Sequence, residues 1–516
     1  MRRPLPRRRR ISRTASTPAP VRGLNARDAL ANMKPTDAVI LDNFFPRTAD
    51  VLLRNGCEVH TSGITGSVQS LMPWRGATSS KLFAAVGGSI YDVSVAGAVG
   101  VAAVSGLTSN RWQHVNMGTP GGQFLVCVNG ADDMRQYDGS AWKTINGASV
   151  PAITGVSTAS LIQVNLFKQR LFFVQKDSMN VWYLPVQSIA GAATKFDLSS
   201  LFTLGGRLEW MATWTLDTGA GVQEYAVFCS NQGQIAVYEG IDPSSATDWA
   251  LIGMFRIGRP VIGRRSFEKI GSDLFIVCAD GVVPLSRVLA TDRSQTQSAV
   301  TDRVVNLMSE YVQLYGDNYG WDAILHPGGS KAIVNVPTLQ DTASLQLVMN
   351  STTGAWCRFT GWNAFCFALL GDDLYYGGIN AVYKADTGND DAGSAIAGDM
   401  LPAFNTFGSS EQKRFVMVRP IVQANTRPRF SLAMCVDYSP LATMSTPTYT
   451  ETVAAVWDLA PWDESDWDGV SRLYRDWQTI GQIGYAGAMR LKVSGIGASL
   501  SVQAIDYLYE QGAGVL

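Results

Sequence analysis

The chain has 516 residues, of which 46% are apolar and only 16% charged, with a net charge of -1. That length exceeds what one ordinary core organises and points to two or three domains. The charge content lies well below the roughly 25% of an average soluble domain, which fits either extensive subunit contacts or loops rich in Gly and Ser.

The charge is unevenly placed. Arg2, Arg3, Arg7, Arg8, Arg9, Arg10 and Arg13 all fall within the first thirteen residues, and no acid precedes Asp28, so the remainder is acidic on balance. Residues 1–22 read as a flexible arginine-rich arm, with no apolar stretch behind it to make a secretory signal. Guanidinium groups on such an arm grip phosphate bidentately and in a salt-sensitive way, so the arm either contacts DNA, docks on an acidic neighbouring subunit, or stays solvated. It has no aromatic residue for base stacking.

Residues 23–75 read as an extended segment, punctuated by Pro46 and Gly56. From there to about residue 400 the chain is a succession of short Val, Ile, Tyr, Phe and Trp runs broken by Gly, Asn-Gly or Asp-Gly, the pattern of antiparallel strands and tight turns. A strand-turn-strand unit starts at Leu82, Phe124, Leu171, Tyr225, Leu274, about Ala332 and Leu374, at intervals of 42, 47, 54, 49, 58 and 42 residues. A four-stranded propeller blade occupies about 40 to 50 residues. The spacing therefore predicts an all-β protein, a β-propeller of six or seven blades over 76–400. The uncharged run VSVAGAVGVAAVSGL (93–107) is shorter than the about 20 residues of a membrane-spanning helix and reads as a β-hairpin; no stable membrane insertion is expected. One segment, DRVVNLMSEYVQL (302–314), has a helical apolar face and predicts a single inserted helix.

From 401 to 516 the strands lengthen and the period changes, which predicts a separate β domain. Its stretch WDLAPWDESDWD places Trp457, Trp462 and Trp467 either as interface anchors or as cover for the domain's own apolar edge. The seven cysteines lack any CxxC pair; Cys127, Cys229, Cys278 and Cys366 lie in apolar runs and read as small buried hydrophobes in a reducing compartment.

Catalytic signatures are missing. His60, His114 and His326 are scattered and without metal-ligand spacing, and no nucleophile elbow, phosphate loop or dinucleotide fingerprint occurs. The turn DTGNDDAG (386–393) has Asp391 where a calcium loop needs Gly and reads as an exposed acidic turn. NSTTGAW (350–356) approaches the repeat of sialidase propellers but lacks its Asp and occurs once. No enzyme, cofactor or metal is expected. The alternative is a propeller that binds or cleaves glycans, a depolymerase or sialidase-like protein, which requires two facing carboxylates that the sequence does not single out.

A series of turns in consistent order carries a family resemblance: GLNARDA, LDNFFP and RNG near the start, then ATWTLDTGAG (212–221), VYEGIDPSS (237–245), GMFRIGRPVIGRR (253–265), DGVVPLS, VNVP, VMNSTTGAWCRFTGWNAFC (348–366) and AFNTFG. From about Gly23 to the C-terminus the chain resembles the tail-hub or tail-nozzle proteins of short-tailed phages, also called phage stabilisation proteins. The resemblance implies a virion protein assembled in the bacterial host cytoplasm as a homohexameric ring below the portal and the tail adaptor, with the segments 23–75 and 401–516 pairing into a platform beside the propeller. It implies tail fibres or tailspikes docked outside and genomic double-stranded DNA passing a lumen that the hub, or an attached needle, keeps shut until ejection. The arginine-rich start departs from the family pattern, and the acidic body suits a wall along which phosphate slides.

Overall fold

The computed structural model describes residues 11–217, 222–258, 260, 263–279, 281–290, 300–425, 427–440, 444, 448–450 and 472–512. Two compact units divide the chain. One comprises Met1–Glu58, Leu347–Gly361 and Asp386–Leu516; the other comprises Val59–Gln346 and Trp362–Ala385.

The second unit is a β-propeller. Among the described residues its strands form seven blades in chain order, six of them separate sheets of three to five strands and the other, blade six, the leading strands of a larger sheet. Blade one is Ser70–Arg75, Ser80–Val86 and Ser89–Asp92. Blade two begins with Gln113–Thr119 and Gly122–Val128, and blade three with Leu161–Phe167 and Arg170–Gln175. Blade four is Leu208–Asp217, Val222–Ser230, Gln234–Gly240 and Trp249–Arg256. Blades five and six begin with Phe267–Ile270 and Asp322–His326. Blade seven joins Cys366–Leu370, Asp373–Gly377 and Val382–Ala385 to Cys57–Ser62, so a strand that opens the ring in sequence completes its last sheet.

Each of the seven starts expected from the sequence falls in the second strand of a blade. The chemistry of those strands explains the ring. Leu171, Phe172, Phe173 and Val174 are all at most 1% exposed. Because side chains alternate across a strand, Leu171 and Phe173 pack with blade two, whereas Phe172 and Val174 pack with blade four. Val126 and Val128 likewise face blade three while Leu125 and Cys127 face blade one. A sheet apolar on both faces needs a neighbour on each side, and the cluster joining Leu71, Leu82 and Ala84 of blade one to Cys366, Ala368 and Tyr375 of blade seven closes the circle.

The string VYEGIDPSS is a blade corner. Gly240 adopts φ +134°, and a Cβ there would fall on the Asp248 carbonyl, so only glycine fits. Asp242 holds the following turn by accepting from the Ser244 amide at 3.1 Å. Trp249 then opens the outer strand and stacks on Tyr238, with centroids 5.3 Å apart.

The first unit contains a sheet built from both ends of the chain. Ile11–Pro18 runs antiparallel to Leu500–Gln511, register Ile11↔Gln511 through Pro18↔Ala504, and Lys413–Ala424 pairs with the other edge of the same strand. Arg419 Nε donates to Asp506 across that pair at 2.9 Å. Ala38–Asp42, Ile396–Pro402, Gly487–Ile496 and Phe430–Val436 pair in that order in a further set of strands. Arg54, 2% exposed, ties three segments of this unit: it donates to Asp391 Oδ1 at 2.8 Å, to the Thr360 carbonyl at 2.8 Å and to Asn43 Oδ1 at 2.9 Å.

Several expectations change. Of the arm expected over 1–22, Ile11–Pro18 is a strand, because the long terminal strand offers eight residues a ladder of backbone hydrogen bonds that a free segment lacks, while residues 1–10 lie outside the described residues. The propeller unit comprises 59–346 and 362–385 rather than 76–400: CEVHTS has no apolar run of its own and becomes recognisable only as the strand blade seven needs. Residues 93–107 form no regular hairpin; Val95 and Val101 are 80% and 96% exposed, and pairing is confined to the short strand Gly97–Ala98 and an Ile90↔Val104 bridge. The acidic turn is not simply exposed, since Asp391 neutralises buried Arg54. The expected helix is present as Val305–Tyr315, preceded by a 3-10 turn, and a short helix at Leu285–Ala290 was not anticipated. All seven cysteines are buried thiols. Among the described residues, no helix is long and apolar enough to cross a membrane.

The two-faced burial sets a measurable cost. Phe173→Ala removes a ring with 0% exposure between blades two and three and is expected to destabilise the propeller by about 3–5 kcal/mol. Val101→Ala, at 96% exposure, is expected to leave the urea midpoint unchanged. Equal midpoints for the two variants would contradict the inter-blade packing described.

Candidate functional site: the axial opening of the propeller

The first strands of successive blades stand beside one another around the ring axis and leave an opening of about 340 Å³. Blade one contributes Pro73 and Arg75, blade two Gln113 and His114, blade three Gln163 and Asn165. Opposite them come Arg264, Arg265 and Glu268 at the start of blade five and Asp322 of blade six, with Phe367 and Leu369 of blade seven. Apart from the wholly apolar Cys366–Leu370, the first strands that line the opening mix polar residues into their apolar runs.

Two arginines span it. Arg264 Nη1 donates to the Asn129 and Ile162 carbonyls at 3.0 Å each. The Ile162 carbonyl is free to accept because the pairing of Leu161–Phe167 slips between Leu161 and Gln163. Arg265 Nη2 donates to the Trp112 carbonyl at 2.6 Å and to Ser70 Oγ at 3.1 Å, and its Nη1 lies 3.7 Å from Asp322. The consecutive pair thus links blade five to blades one, two and three, satisfying backbone acceptors that the inner ends of the strands leave without a ladder partner.

Burial and charge then set the protonation states. Glu268 is pushed up to about 8 by burial and by the neighbouring Asp322 carboxylate, against one backbone donor at Leu325. Asp322 is raised to about 6 by burial, with Arg265 and the Phe367 amide, 3.0 Å away, opposing the rise. His114 is lowered to about 3 by burial and by the cations Arg265 and Arg75. At neutral pH Glu268 therefore keeps its proton, Asp322 is largely ionised beside Arg265, and His114 is neutral. Gln163 and Asn165 spend their amides on the Met211 carbonyl at 2.8 Å. Gln113 Nε2 and His114 Nδ1 are buried and have no hydrogen-bond partner among the described residues.

The residues singled out from sequence lie elsewhere. Arg2, Arg3, Arg7, Arg8, Arg9 and Arg10 fall outside the described residues, as do Trp457, Trp462 and Trp467. Arg13 is exposed on the strand Ile11–Pro18, opposite Tyr509. His60 Nε2 pairs with the Val93 carbonyl at 2.9 Å and His326 Nε2 with the Asp372 carbonyl at 3.1 Å. NSTTGAW is a turn held by Asn350, whose Oδ1 accepts from Thr352 and whose Nδ2 donates to the Pro46 carbonyl. The axial residues were missed. Their one signal was the doubled arginine Arg264–Arg265 in an otherwise sparsely charged body.

Fold and axis together define a β-propeller protein, seven-bladed, with an additional β unit from its N- and C-terminal segments. No family model and no curated protein matches the chain. Similar solved structures include BBS1N in complex with ARL6DN, at 9% identity over 64% of this chain and 96% of that one, TM-score 0.41. Saccharomyces cerevisiae Sqt1 is 11% identical over 64% and 98%, TM-score 0.36. An exo-β-1,3-galactanase from Phanerochaete chrysosporium is 10% identical over 78% and 97%, TM-score 0.26. Likeness at these levels carries no argument about activity.

The Glu268 shift predicts a pH dependence. Between the carboxyl's ordinary 4.5 and about 8 the folded chain holds a proton that the unfolded chain has released, so this residue's contribution to stability falls as pH rises and is level above about 8. Glu268→Gln removes the effect. Urea midpoints of the variant are expected to gain on the wild type steadily across that window, and a constant difference would show that Glu268 titrates normally.

Proposed function

We propose that this protein is a structural component of a phage virion, the tail hub or nozzle of a short-tailed phage, whose copies form a homohexameric ring below the portal and adaptor. The observation that supports it most is the pairing of Ile11–Pro18 with Leu500–Gln511: both ends of the chain enter one β unit, and a seven-bladed ring fills the sequence between them, as the resembling family requires of a platform and a propeller. The ordered series of turns from GLNARDA to AFNTFG and the low charge content add to it. In this reading fibres or tailspikes dock outside, and genomic DNA passes a lumen formed between copies. The competing reading, a glycan-binding or glycan-cleaving propeller, has one observation in its favour, the two carboxyl groups Glu268 and Asp322 at the axial opening.

Negative-stain microscopy of the purified full chain separates the two. Six-fold rings are expected; monomers that clear a polysaccharide would replace the hub with the enzyme.

The arginines can be tested without disturbing the fold. Deleting residues 1–10 leaves the terminal strand whole and is expected to keep the unfolding transition while abolishing docking to the adaptor. Deleting residues 1–18 removes eight paired residues and is expected to lower the transition as well. Retained docking with a lost, salt-dependent DNA affinity would assign the arginines to DNA instead.

A further inference from the structure

The axial opening has the composition of a ligand site that the hub role does not use. Its volume of about 340 Å³ lies at the lower end of small-molecule pockets, roughly 300–1,000 Å³. Arg75, Arg264 and Arg265 line it against Glu268 and Asp322, so the lining carries a positive excess even with both acids ionised. Arg264 and Arg265 already serve the backbone and Asp322. Arg75 is exposed at the edge of the opening, with no side-chain ion pair resolved. Gln113 is 5% exposed, yet its Nε2 donor has no partner, and the adjacent His114 leaves Nδ1 unsatisfied. A buried donor left unpaired costs about 1–3 kcal/mol, a cost that a bound acceptor removes.

We propose that the axial opening binds a small organic anion of about monosaccharide size, its carboxylate or phosphate group held by Arg75, with the Gln113 side chain turning its sealed Nε2 donor toward it. The protonated Glu268 carboxyl adds a donor that an ionised acid would deny to an anion. Val115 and Phe367 supply apolar wall. The inference needs neither the ring assembly nor a catalytic step.

Isothermal titration calorimetry of the full chain at neutral pH with D-glucuronate, inorganic phosphate and glucose tests it. Glucuronate or phosphate is expected to bind and glucose not to; which anion binds tells whether a carboxylate-bearing ring or a bare oxyanion is preferred. Arg75→Gln, at an exposed position, is expected to unfold as the wild type does and to weaken the anion by about tenfold or more. Gln113→Glu, which sets a like charge against the ligand, is expected to abolish binding. Absence of heat with both anions, equal binding of glucose, or unchanged affinity in Arg75→Gln would each overturn the proposal.

Discussion

The second strand of each blade, apolar on both faces, is the constraint on which the propeller depends. Fully burying a side chain such as Phe172 or Phe173 contributes about 1.5–3 kcal/mol, and a lone sheet can bury only one of the two faces. Each sheet therefore requires two neighbours, and a finite row of sheets meets that demand at every position only by closing. Closure falls to Cys57–Ser62, which enters blade seven after more than three hundred intervening residues. The entropy of closing so long a loop grows only with the logarithm of its length, so the packing of blade one against blade seven can offset it.

The same geometry makes the axis polar. Strand ends converge there, and backbone carbonyls such as those of Trp112, Asn129 and Ile162 lack ladder partners. Long cationic side chains meet this need better than apolar ones, which would leave the acceptors bare. Arg264 and Arg265 reach them from the far side of the ring while Asp322 offsets part of the charge. Acids admitted to such a place are short of water, and burial is the largest cause of the raised Glu268 and Asp322. In the other unit Arg54 plays a comparable part, donating to Asp391, Asn43 and the Thr360 carbonyl. There a buried cation joins three stretches of chain that lie far apart in sequence.

How much of this could be read in the chain follows from which contacts are local. Leu171–Val174 and Tyr225–Ser230 are legible because burial on both faces writes an unbroken apolar run, and turns such as the Gly240 corner mark their spacing. Cys57–Ser62 and Ile11–Pro18 are not legible: polar residues interrupt both, and what makes them strands is a partner hundreds of residues away. Arg75, Gln113, Glu268 and Asp322 belong to four different blades and meet only once the ring has closed, so no local spacing announces them. Arg264–Arg265 was visible as a doublet, but its partners were not.

The axial arrangement also constrains where a DNA passage can lie. Guanidinium groups from blade five engage the Ser70 hydroxyl of blade one and carbonyls of blades two and three through the middle of the ring, and what remains is an opening sized for a small molecule. Admitting a duplex would break these hydrogen bonds and expose buried acceptors, at a cost repeated in every copy. The fixed positive excess at the axis would in addition hold phosphate rather than let it slide. A conduit built from this chain must therefore run between copies and not through a propeller, which makes oligomerisation a requirement of the proposed role and not an accompaniment to it.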